Sequence, residues 1–134
     1  MWIIHPDAGF FSIVEGDPQF RDSKGKLQVR ARARDDLDRL RQYIPELGPT
    51  IETPHGDYAY RAICDRHILG DSFGLMISGI DYRNMKNRVR DQERHAIYAR
   101  VWGVLLAIQR GSRARWWDDP YQPALYDDLD ADAR

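Results

Sequence analysis

Leu27-Gln28-Val29-Arg30-Ala31-Arg32-Ala33-Arg34 decides how the rest of the chain is read. Apolar and polar residues alternate through the whole stretch, which is the period of a pleated strand and not of a helix. A strand here turns Leu27, Val29, Ala31 and Ala33 toward a core and sets Arg30, Arg32 and Arg34 in a row on the other side. One buried and one wet face is the signature of an antiparallel sheet, so the expected fold class is α+β.

Working upstream, Trp2 to His5 and Phe10 to Glu15 are two β-favouring runs separated by the turn residues Pro6-Asp7-Ala8-Gly9. Residues 16–26, rich in Gly, Asp, Pro and Ser, read as a loop. Downstream, Asp35 is placed to cap a helix whose stripe is Leu37, Leu40 and Ile44, and Pro45 and Gly48-Pro49 end it. Thr50 to Glu52 and Tyr58 to Cys64 then form a hairpin around Pro54 and Gly56. Asp65 caps a helix carrying Ile68, Leu69, Phe73, Met76, Ile77 and Ile80 at three- and four-residue steps. Tyr82 to Val89 forms another helical segment. Asp91 caps a long helix in which Ile97, Val101, Val104, Leu105 and Ile108 define a core-facing stripe, and Gly111 stops it. The expected architecture is a small antiparallel sheet packed on a C-terminal helical layer, with an element order compatible with a ferredoxin-like arrangement. Residues 1–111 form this single domain, and 112–134 form an acidic tail containing aromatic residues.

The 134 residues suit one domain, and no apolar run approaches the ~20 residues of a membrane-spanning helix. The start Met1-Trp2-Ile3-Ile4-His5-Pro6 lacks the features of a signal peptide, so a cytoplasmic location and no membrane partner are expected. Cys64 is the only cysteine, which excludes an intramolecular disulfide and suggests a buried strand residue. The formal net charge of −1 is unevenly spread. From Asp118 onward, Asp118, Asp119, Asp127, Asp128, Asp130 and Asp132 are offset by Arg134 alone, which leaves residues 1–117 net positive.

A string of motifs resembles a family of small uncharacterised bacterial proteins. It comprises Met1-Trp2, Gly9-Phe10-Phe11-Ser12, Val29-Arg30-Ala31-Arg32, Asp36-Leu37-Asp38-Arg39-Leu40, Asp57-Tyr58-Ala59-Tyr60-Arg61, Ile80-Asp81-Tyr82-Arg83-Asn84-Met85-Lys86 and His95-Ala96-Ile97-Tyr98-Ala99-Arg100-Val101-Trp102. The resemblance ends near residue 109, short of the tail, and implies no activity.

Three functions are open from the residues alone. The first is a small interaction protein of the inhibitor, immunity or anti-defence type. It would dock on a protein partner through a charged and aromatic surface that includes Trp116, Trp117, Asp118 and Asp119, because aspartates mimic phosphates and rings mimic bases. The second is nucleic-acid or nucleotide binding by the arginine row. Arg30, Arg32 and Arg34 would stand about 6.6–6.8 Å apart on the open sheet face, a spacing near that of successive phosphates, with Arg61 joining from a neighbouring strand and Tyr58 and Tyr60 stacking on bases. The third is an enzyme centred on Arg61, Tyr82 and His95. Here Asp81, Tyr82, Asn84, Lys86, His95 and Tyr98 would converge on a pocket rim. Phosphate-loop, dinucleotide-turn, zinc-helix and nucleophile-elbow motifs are missing from the sequence, so no cofactor or metal is expected and binding is favoured over turnover. An edge-paired homodimer is compatible with such a sheet.

Overall fold

The computed structural model describes residues 1–110. Five strands form one sheet: β1 (Trp2–His5), β2 (Gly9–Glu15), β3 (Leu27–Ala31), β4 (Ile51–Glu52) and β5 (Tyr60–Cys64). The spatial order is β1-β2-β3-β5-β4, and every neighbouring pair is antiparallel. Helix α1 (Arg34–Leu40) links β3 to the β4–β5 hairpin, and α2 (Arg66–Ser78), α3 (Met85–Arg88) and α4 (Gln92–Arg110) follow. The α+β class is therefore as expected. The ferredoxin-like arrangement is not adopted, because three strands precede the first helix and no two neighbouring strands run parallel.

The chain divides into two compact units, Met1–Arg90 and a second that begins at Asp91. The first contains the sheet. Phe11, Ile13, Val29, Ala31, Ala62 and Cys64 project from one face onto Leu37, Leu40, Ile44, Leu47 and Leu69, all buried. Ile68, Phe73 and Met76 of α2 pack at the margin of this core. Each fully buried aliphatic side chain contributes about 1.5–3 kcal/mol, and the alternation in β2, β3 and β5 is what delivers them to one side.

The strand at 27–34 is shorter than its alternation suggests. Pairing with β5 ends at Ala31↔Tyr60, and Ala33 is the N-cap of α1. Arg34 is therefore the first residue of a helix, where its guanidinium bonds Glu52 at 2.6 Å. Asp35, expected as the cap, lies in the first turn, and Asp36 beside it has a tertiary task. Its carboxylate is buried, accepts the Phe10 N–H at 3.1 Å and pairs with Arg39 at 2.7 Å. Those bonds hold the helix start against the β1–β2 turn. At the other end of α1, Arg41 donates to Gly48 O and Thr50 Oγ1, leading the chain into β4.

The second unit is represented by α4, which Asp91 caps by accepting the Arg94 N–H at 3.0 Å. The stripe expected to be core-facing is largely exposed. Ile97, Val104, Leu105 and Ile108 are 48%, 56%, 55% and 79% exposed. Helical periodicity marks an apolar stripe but does not say what covers it. The expected stop at Gly111 and the tail lie outside the described residues. No described helix is long and apolar enough to cross a membrane.

Candidate nucleic-acid interface

Strand register sorts the charged side chains of the sheet by sign. Glu15 and Glu52, the carboxylates of the described strands, share the face of Leu27 and Tyr60, turned toward the helices. Both are neutralised there, Glu15 by Arg66 and Glu52 by Arg34. The opposite face receives Trp2, Phe10, Ser12, Gln28, Arg30 and Arg61. A single row crosses all five strands on that side: Trp2, Ser12, Arg30, Arg61 and Ile51.

Arg30 and Arg61 are thus direct cross-strand partners. Opposed residues in an antiparallel pair have Cβ atoms about 4.5–5.5 Å apart, and like charges in that position destabilise the sheet. No carboxylate among the described residues pairs with Arg30, Arg32 or Arg61.

Neutral groups hold these guanidinium groups instead. Arg30 Nη2 donates to the buried Ser12 Oγ at 2.8 Å, and its guanidinium carbon lies 4.6 Å from the centre of the Tyr58 ring. Arg32 stands over the same ring at 5.3 Å. Arg61 Nε donates to Thr53 Oγ1 at 2.8 Å, while that hydroxyl donates to Tyr58 O, and the Arg61 head lies over Phe20 at 5.2 Å. Cation–π contacts and hydroxyl acceptors orient a guanidinium without cancelling its charge. Two buried polar atoms on β3, Gln28 Oε1 and Arg30 Nε, have no hydrogen-bond partner among the described residues.

Aromatic rings border the cations. Trp2, 72% exposed, meets Phe10 edge-on at 5.6 Å, and Phe10 lies 6.3 Å from Tyr58. Tyr58 itself is buried at 3% exposure, so it is the floor beneath Arg30 and Arg32 and not the stacking surface expected of it. Tyr60 is on the opposite, core side of β5. Arg34 has left the row for α1. The row along one strand is therefore replaced by a cluster across two strands, Arg30 and Arg61, with Arg32 just beyond the end of β3. Trp2, Phe10 and Phe20 were not singled out from the sequence. The alternation of Trp2, Ile4 and of Phe10, Ser12 is the signal that carries Trp2 and Phe10, once β1 and β2 are registered on β3, whereas Phe20 lies in the loop before β3 and has no such signal.

The other polar string is only partly assembled. Asp81 and Tyr82 line a cavity of about 270 Å³ with His5, Asp7, Tyr43, Met76 and Arg88, on the helix-covered side of the sheet and away from Arg61. Asn84 caps α3 by accepting the Lys86 N–H at 3.0 Å. His95 and Tyr98 are on α4, in the second unit; Tyr98 accepts from Arg94 Nη1 at 3.3 Å. Arg61 and Tyr82 therefore do not share a site. Trp116, Trp117, Asp118 and Asp119 lie outside the described residues. Among the described residues no group of three or more His, Cys, Asp or Glu side chains is arranged to hold a metal ion. Cys64 is buried in β5, and burial raises its thiol pKa, which disfavours the nucleophilic thiolate.

The cavity gives the fold a pH dependence. His5 Nδ1 accepts the backbone N–H groups of Asp7 and Ala8, and its pKa is lowered, mainly by burial and also by Arg88, against an opposing pull from Asp7. The folded state therefore holds fewer protons at His5 than the unfolded chain. The stability linked to this neutral imidazole is fully present above its ordinary pKa of 6.5 and is lost as pH falls below it. Melting temperatures at pH 7.5 and 5.5 test this. The wild type is expected to lose stability at the lower pH, and His5→Asn, which keeps an acceptor without titrating, is expected to lose less.

Family models, curated proteins and solved structures provide no match to the chain.

Proposed function

We propose that the protein binds single-stranded nucleic acid on the face of the sheet opposite α1. The observation that carries this reading is the cross-strand pair Arg30 and Arg61, two like charges facing each other without a carboxylate among the described residues. An anionic ligand turns that unfavourable arrangement into a favourable one, and the backbone of a single strand supplies phosphates in series. Trp2, Phe10 and Phe20 offer ring surface beside the cations, the combination by which single strands are held without reading sequence. Two of the segments behind the proposed family resemblance, Val29-Arg30-Ala31-Arg32 and Asp57-Tyr58-Ala59-Tyr60-Arg61, supply the cations and the floor.

Docking on a protein partner is the second reading. It draws on the acidic, aromatic residues from Trp116 onward, and the described residues favour the nucleic-acid reading over it.

Fluorescence anisotropy with labelled oligo(dT) and oligo(U) tests the proposal. Three phosphates bound by Arg30, Arg32 and Arg61 give a slope of about −2 in log K against log salt, at roughly −0.7 per phosphate for a single strand. Arg30→Gln is expected to reduce that slope by about 0.7. Arg34→Gln leaves it unchanged, because Arg34 is paired with Glu52 on the helix-facing side. A salt slope near zero, or equal losses in the two variants, rejects the proposal.

A further inference from the structure

We infer that α4 is a self-association helix, pairing antiparallel with α4 of a second copy of this chain. Ile97, Val101, Val104 and Ile108 follow one another at steps of four, three and four, the seam spacing of two helices packed at a shallow angle. Three of the four are about half exposed or more, and Leu105 flanks them at 55%. With partly buried Val101 they offer roughly 500 Å² per copy, about 1,000 Å² over both, the lower bound of a specific interface.

The order of the residues identifies the occupant. A two-fold axis between Val101 and Val104 places Val101 against the partner's Val104 and Ile97 against the partner's Ile108, so the seam is complementary to itself. Arg100 then falls beside the partner's Ala107, and no like charges meet at the flanks. Parallel pairing instead brings Arg94, one heptad before Val101, against its own copy inside the seam. Antiparallel packing also opposes the two helix dipoles favourably. The inference is independent of the nucleic-acid reading, whose residues all belong to the first unit.

Sedimentation equilibrium of the full chain is expected to show a dimer, and Val104→Glu to weaken its dissociation constant at least a hundredfold with the circular dichroism of the sheet unit unchanged. Cysteine pairing supplies a readout that does not depend on that variant. Cys64 is buried, so thiols introduced on α4 react alone. Mixed Val101→Cys and Val104→Cys chains are expected to form the heterologous disulfide at least tenfold faster than Val101→Cys with itself. A monomer at ~100 μM overturns the inference, as does a dimer that survives Val104→Glu. Faster linkage of Val101→Cys to itself overturns the antiparallel arrangement.

Discussion

Gly9→Ala is expected to destabilise the sheet unit by about 4 kcal/mol or more, a large share of the roughly 5–15 kcal/mol that holds a small domain folded. Gly9 has φ +126°, a region that L side chains rarely adopt. A Cβ there would lie 2.3 Å from Asp36 Cγ, inside the buried carboxylate that accepts the Phe10 N–H and pairs with Arg39. Substitution therefore imposes backbone strain of about 1–3 kcal/mol and displaces Asp36 from both partners, each such charged bond being worth about 1.5–3 kcal/mol. Gly25→Ala is the matched control. Gly25 also has positive φ, +76°, but a Cβ there meets nothing within 4 Å, so only the backbone cost of about 1–2 kcal/mol applies. Urea unfolding followed by circular dichroism separates the two. Equal midpoints for the two variants would show that Asp36 does not bear on Gly9.

The second large effect concerns the cationic face. Arg61→Glu places a carboxylate directly opposite Arg30, converting a like-charge cross-strand pair into an opposite-charge one. Binding of oligo(dT) is expected to fall about 30- to 100-fold. That is the equivalent of about 2–3 kcal/mol, for removing one charge-assisted bond to a phosphate and setting a repulsive charge in its place. The melting temperature is expected to hold or rise, because the new pair offsets the loss of the Thr53 bond and of packing on Phe20. Opposite movement of binding and stability is what a surface kept for a ligand predicts, since such surfaces carry charges the fold alone would avoid. Parallel losses of both would mean that Arg61 serves the fold.

Much of this architecture was legible before any coordinate. Alternation in Leu27 to Ala31 names the strand and both its faces, because period two leaves only one way to bury Val29 and Ala31. Asp91 is recognisable as a cap from its place before the long helix, and Cys64 as a buried strand residue because free cysteine is among the most buried residue types. Arg34 leaves the strand although alternation reaches it, because alternation continues past the last residue that finds a partner strand. Pairing ends where Tyr60 ends it, and that limit belongs to β5. The exposure of the α4 stripe has a related reason: spacing defines a face, whereas its cover is a neighbouring surface that no local pattern encodes.

Local pattern, then, settles which residues of a strand or helix lie together, since backbone geometry repeats every two or 3.6 residues whatever surrounds it. Register across strands decides the site. That Arg61 faces Arg30, that both glutamates of the strands turn to the helices, and that Tyr58 lies beneath two guanidinium groups all follow from how β2, β3 and β5 align. Alignment is set by burying one shared core, a condition on the whole chain that no single segment contains.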